Sequence, residues 1–268
     1  MTSGCFAFGV CIALSSCWHF SLGFVQSGDQ LQTIYAGNHK YCFRTVDHLY
    51  YVAAVRSGEP SESILQMLEM LHNHILSVLN RTTVDRIFGR RANYDLRNLL
   101  GGTDSTLHGL ITAHSNDASY LLRSTQCLAL PPNVRNGIGD LLHRVRSKDN
   151  GSVLYALMLS HSYLVSLVRP KHVAIQPSDL LLLNNFVNTS MSLKTDQSWT
   201  PICLPGFDDE ATMFAYVCFL NDDCCVIYLS VEPDAFPYLA QQKNVLMEKM
   251  GQNGWLDEIS NAVLNRTQ

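Results

Sequence analysis

Between Met1 and Gly28 there is no Asp, Glu, Lys or Arg, and over all 268 residues charged side chains reach only 16%. The balance of −4, with histidine neutral, supplies no basic surface for a phosphate backbone, so no nucleic acid is expected as a partner. The Gly-x-Ser-x-Gly elbow of a serine hydrolase is missing, and Gly101-Gly102-Thr103 lacks the lysine and the preceding strand of a phosphate-binding loop. No C-x-x-C pair occurs among the nine cysteines, and their odd count argues against a closed disulfide framework. Reduced core thiols are the simpler reading. Cys224 and Cys225, adjacent in one strand, should point to opposite faces of a sheet. No metal and no cofactor is expected.

What is present is apolar: 47% of the chain is hydrophobic. The uncharged run from Cys5 to Val25 approaches the length of a membrane span. It has no basic flank and no basic leader region, and Ser15, Ser16 and His19 dilute its middle. A buried helix ending near Gln26 is expected, with secretion or anchoring through residues 1–25 as the alternative. Three strands follow, Leu31 to Ala36, Lys40 to Val46 and Leu49 to Val55, punctuated by Gly37-Asn38 and Asp47-His48. From Ser61 the apolar positions Ile64, Leu68, Leu71, Ile75 and Leu79 recur at helical spacing, and further helices are expected to Ser124.

Pro131-Pro132 opens a helix to about Arg146. Beyond it come strands Val153 to Ser160 and Tyr163 to Arg169, a helix from Pro177, strands Thr200 to Leu204, Thr212 to Leu220 and Cys224 to Val231, and two closing helices. The expected fold class is α+β, with tandem domains each built as an antiparallel sheet flanked by helices in the order β-β-α-β-β-β-α. The first half repeats that order without its opening hairpin. Expected boundaries are 1–125 for the first domain with a helical bridge, 126–150 for a connecting helix and 151–268 for the second domain.

Within Ser198-Trp-Thr-Pro-Ile-Cys-Leu-Pro205 two prolines bracket a short apolar strand. A proline cannot donate to a β-ladder, so this strand belongs at a sheet edge, with Trp199 and Ile202 packing inward. His72 and His74 lie two apart on a helix and diverge, which does not suit a metal. Asp222-Asp223 reads as a hairpin tip. Arg86, Arg90, Arg91 and Arg97 form the densest basic patch. A phosphoinositide membrane is the functional reading for Arg86, Arg90 and Arg91; a solvated face paired with Asp85 and Asp95 is the plain one. Asn80-Arg-Thr82 and three similar triplets match glycosylation sequons, which matter only in a secreted protein.

From about Phe20 onward the chain resembles the vacuolar fusion protein Mon-one (SAND) family. The resemblance is carried by Trp199-Thr-Pro-Ile-Cys-Leu-Pro205, Asn93-Tyr-Asp-Leu-Arg97 with Leu99-Leu-Gly-Gly102, Cys127-Leu-Ala-Leu130 with Arg135, and Asp179-Leu-Leu-Leu-Leu183. It implies longin domains, a truncated first and a complete second, without the family's third. It also implies a subunit that pairs with the CCZ longin protein to form a guanine-nucleotide exchange factor for the late-endosomal Rab GTPase in endosome-to-vacuole or lysosome transport. Such a subunit is cytoplasmic, peripheral on the late endosome or vacuole, and performs no covalent catalysis. The rival reading is a non-catalytic adaptor or inactive fragment that binds a partner chain only. The longin strand order 2-1-5-4-3, without strands 1 and 2, leaves the edge of Leu49 to Val55 uncovered. The expected partner surface is the groove of Phe20, Phe24, Leu31 and Ile34.

Overall fold

The computed structural model describes residues 10–11, 31–56, 58–92, 94–148, 152–190 and 197–267. The chain divides into two compact units, Met1–Leu121 and Leu122–Gln268. In the first, β1 (Val10–Cys11), β2 (Thr33–Ala36), β3 (His39–Val46) and β4 (Leu49–Val55) form an antiparallel sheet in the order β1-β4-β3-β2. Gly37, at φ +60°, makes the tight turn between β2 and β3 that a side-chain-bearing residue resists.

The α-helices among the described residues of this unit are α1 (Ser61–Leu79), α2 (Arg81–Arg90), α3 (Asp104–Asn116) and α4 (Ala118–Leu121). Along α1, Ile64, Leu68, Leu71 and Ile75 are buried as their spacing requires. One face of the sheet meets this helix, since Tyr51 Oη lies 2.8 Å from His72 Nδ1 and Arg44 pairs with Glu69 at 3.9 Å. Cys42 and Ala53, opposite each other across β3 and β4, share that face and are fully buried. Asn80 breaks the long helical stretch at φ +44°, and its side-chain oxygen accepts from Thr83 N–H at 2.9 Å, capping α2.

Two expectations change here. The edge of β4 is not wholly open: Val10 pairs with Ala53 and Cys11 with Val52. Part of the uncharged N-terminal run is therefore strand where a helix was expected, and the first sheet has a strand in the position assigned to the missing hairpin. An apolar run without charges has no period that tells strand from helix, and here β4 provides the pairing partner. The rest of the helix or anchor expected over residues 1–25 lies outside the described residues.

In the second unit α5 (Pro132–Lys148) precedes β5 (Val153–Ser160), β6 (Tyr163–Val168), α6 (Pro177–Thr189), β7 (Ser198–Leu204), β8 (Asp208–Phe219), β9 (Cys224–Ser230), α7 (Phe236–Gln252) and α8 (Trp255–Thr267). The sheet order is β6-β5-β9-β8-β7, all antiparallel, which is the 2-1-5-4-3 arrangement. Every residue of the central strand β9 is buried. Cys224 enters the core on one side of the sheet and Cys225 the core on the other, as their adjacency requires.

The helix expected to connect the domains packs on this second sheet. Val134, Ile138, Leu142 and Val145 of α5 join Ala156, Met158 and Val226 in one core, together with α7 and α8. A full apolar stripe at helical spacing has to be buried somewhere, and β5 and β6 provide the surface. On the other side α6 delivers Leu182, Leu183 and Val187 against Tyr155, Leu157 and Ile227. Gly137 lets α5 meet α8 closely, because a Cβ there would stand 2.3 Å from the Trp255 ring.

Candidate functional site

β2 and β7 hold the same outer position in their respective sheets. β2 is only four residues long and lies opposite β3 with Thr33 facing Cys42, Ile34 facing Tyr41, Tyr35 facing Lys40 and Ala36 facing His39. Ile34 is 41% exposed and Tyr35 70% exposed, and no described strand pairs with the outer side of β2. Lys40 Nζ sits 5.5 Å from the Tyr35 ring centroid, a cation–π contact that holds the ring against the sheet. Neither proline nor charge within β2 blocks a further strand.

β7 is finished differently. Pro201 is exposed on it, while Ile202, Cys203 and Leu204 are buried. Trp199 stacks on Phe214 at 5.6 Å between centroids and approaches Phe236 at 6.1 Å. The proline-bracketed strand is thus a protected edge whose large side chains pack within their own unit, as expected.

Of the expected partner groove, Leu31 is half-buried and Ile34 is exposed, while Phe20 and Phe24 lie outside the described residues. Arg86 and Arg90 lie on α2 and Arg91 just after it, and all three are exposed. The plain reading of this patch holds in part: Asp95 pairs with Arg97, at 2.6 Å, and among the described residues with no other arginine of the group. Arg86, Arg90 and Arg91 have no ion pair among the described residues. Arg97, two residues beyond Asp95, reaches it through the local turn and holds its carboxyl below the usual range.

Sequence reasoning missed the role of Asp179, seen only as the head of a leucine run. Its side chain is 1% exposed in the first turn of α6, and Oδ1 accepts the Gly206 N–H at 2.9 Å, tying the helix to the turn after β7. Oδ2 is buried without a partner. Burial pushes the carboxyl up to about 6, against the pull of the Gly206 and Phe207 amides. Gly206 is needed there, because a Cβ would lie 2.8 Å from Asp179 Oδ2. The contact spans 27 residues, so no local pattern announces it.

The Asp222-Asp223 hairpin tip is confirmed: Asn221 Oδ1 accepts from the Asp223 and Cys224 amides, and Asp223 pairs with His161 at 3.2 Å. Among the described residues no group of His, Cys, Asp and Glu is arranged to hold a metal ion. No helix among them is long and apolar enough to cross a membrane.

Residues 11–110 match the family described as the first longin domain of FUZ, MON1 and HPS1, and residues 151–248 match the second longin domain of the same proteins. The chain is 34% identical to vacuolar fusion protein MON1 of Cryptococcus neoformans over 90% of its own length and 38% of that protein. It is 35% identical to the MON1 homolog of Arabidopsis thaliana, over 81% of this chain and 35% of that one, and 29% identical to human MON1 homolog A, over 84% and 34%. The chain therefore spans between a third and two fifths of the length of these relatives. A solved structure titled "MglB with tetrameric arrangement" overlaps 51% of this chain and 98% of its own at a TM-score of 0.38 and 12% identity, a likeness too slight to bear on the fold. With both domain models matched in order, over a second sheet in the longin strand order, the chain belongs to the vacuolar fusion protein MON1 family.

Proposed function

We propose that this chain works as a longin subunit of a heterodimeric guanine-nucleotide exchange factor, pairing with the CCZ longin protein to activate a late-endosomal Rab GTPase during traffic to the vacuole or lysosome. The observation that carries the reading is the pair of longin domains in MON1 order, the first of which presents an open β2 edge with Ile34 and Tyr35 outward. Exchange asks for no covalent chemistry from the factor. It works by differential binding, in which contacts made only with the nucleotide-free GTPase draw the equilibrium towards release.

Purified chain together with the CCZ subunit is expected to speed release of labelled GDP from the late-endosomal Rab. Co-purification of the CCZ subunit with unchanged release would remove the exchange reading and leave the adaptor. The exposed arginines of the first unit serve a peripheral membrane contact in this reading. Replacing Arg86, Arg90 and Arg91 together by Glu should abolish co-sedimentation with vesicles containing a phosphoinositide and leave binding to the CCZ subunit unchanged. Sedimentation equal to that of the unaltered chain would end the membrane assignment.

A further inference from the structure

The other edge of the second sheet carries an inference that is independent of any exchange activity. β6 is outermost there, and the chain itself already lies along part of its outer side. Leu128 N–H donates to Leu164 O at 2.9 Å and Leu164 N–H to Gln126 O at 2.8 Å, with Cys127 opposite Leu164 in a parallel bridge. The pairing ends after that one bridge, because Pro131 and Pro132 turn the chain into α5.

Past Leu164, the stretch Ser166 to Val168 floors a cleft of about 350 Å³ whose wall is α5 from Arg135 to Asp140. Gly139 brings the helix close to the strand, since a Cβ there would stand 3.4 Å from Ser166 Oγ. A sheet edge with a helix beside it is a geometry in which an extended peptide adds as a further strand, taking affinity from backbone hydrogen bonds and selectivity from side chains on the wall.

The wall has a definite charge. Arg135 donates through Nη1 to Val165 O at 2.7 Å and through Nη2 to Leu128 O. Both acceptors are neutral carbonyls, and a guanidinium has five N–H donors. A half-buried cation with donors to spare and no carboxylate partner therefore lines the cleft. The first turn of α5 adds partial positive charge at the same end. Asp140, exposed and about 7.5 Å further along the helix axis, disfavours a second acid there.

We propose that the α5–β6 cleft docks an extended segment of another polypeptide, which pairs along Ser166 to Val168 and places one acidic side chain at Arg135. Panning a random peptide display library on the whole chain should enrich sequences containing Asp or Glu. A synthetic copy of the enriched peptide should slow amide exchange at Ser166 to Val168. The decisive variant is Asn136→Trp, which fills the cleft from an exposed position, because replacing Arg135 would also loosen Leu128 and Val165. Asn136→Trp should weaken the peptide at least about tenfold with an unchanged thermal midpoint. Failure to enrich any peptide, enrichment without acids, or equal binding to Asn136→Trp would overturn the proposal. Protection of Ser166 to Val168 that rises with protein concentration alone would overturn it too, giving the edge to a second copy of the chain.

Discussion

β2 and β7 are the same strand of the same fold, yet one ends its sheet with four residues and an exposed Ile34 and Tyr35, and the other with seven residues and a proline facing out. The difference extends inward. In the second sheet β7 contributes Ile202, Cys203 and Leu204 to the core, whereas β2 contributes no buried residue. A long apolar edge left open is a template for other chains, and the second unit closes it with Pro201 and the Trp199–Phe214 stack. Among the described residues the first unit leaves its own open, as the proposed partner surface requires.

The comparison is broken most severely by destroying the packing that closes the second unit. Gly137→Ala would ordinarily stabilise a helix slightly, but its Cβ meets the Trp255 ring at 2.3 Å. Overpacking should outweigh propensity and cost about 3 kcal/mol, read as an earlier denaturant midpoint for the second unit. Pairing it with Trp255→Leu should restore most of the loss. No loss with Gly137→Ala alone would show that α5 and α8 can shift apart.

Acid should move the two units in opposite directions. His74 is buried and its Nε2 has no partner, so desolvation lowers it to about 4 from 6.5. Between those values the unfolded chain binds a proton that the folded chain refuses, so stability falls as pH drops. His114 is lowered for the same reason. Asp179 is raised from 3.8 to about 6, so between those values the folded chain holds the extra proton and stability falls as pH rises. Going from pH 7 to 5 should cost the first unit roughly 2 kcal/mol through His74 and return roughly 1 kcal/mol to the second through Asp179. Amide exchange followed separately in α1 and α6 tests this, and shifts of the same sign in both would refute it.

The smallest effects on stability, and the most direct test of the edges, come from exchanging their finish. Ile34→Lys places a blocking charge on β2 and should change stability by less than about 0.5 kcal/mol while abolishing the proposed capture of the CCZ subunit. Pro201→Val should do the reverse for β7, producing self-association that rises with concentration. A partner retained by Ile34→Lys would move the interface away from β2.

Much of this was legible in the residues themselves. The β-β-α-β-β-β-α order of the second unit follows from its apolar runs and from breakers such as Pro177 and Asp222-Asp223, and its pairing order then follows the longin pattern. Val10–Cys11 was not legible as a strand, because a run without charge presents no face to count. The helix assigned to a connection was visible as a helix, but its place on β5 and β6 depended on which apolar surface was left for it to cover.

Local propensity and periodicity, set by backbone sterics and by which faces must leave water, are therefore what the chain determined by itself: its elements, their order, and the edge character of Ser198 to Leu204. Tertiary structure decided the rest. Asp179 reaching Gly206, Trp255 lying over Gly137 and Arg135 bridging Leu128 and Val165 join residues brought together only when whole elements pack. The exposure of Ile34 and Tyr35 belongs to the same class. Whether an apolar residue on a sheet is core or docking surface depends on what lies beyond the last hydrogen-bonded strand, and that is a property of the assembled sheet.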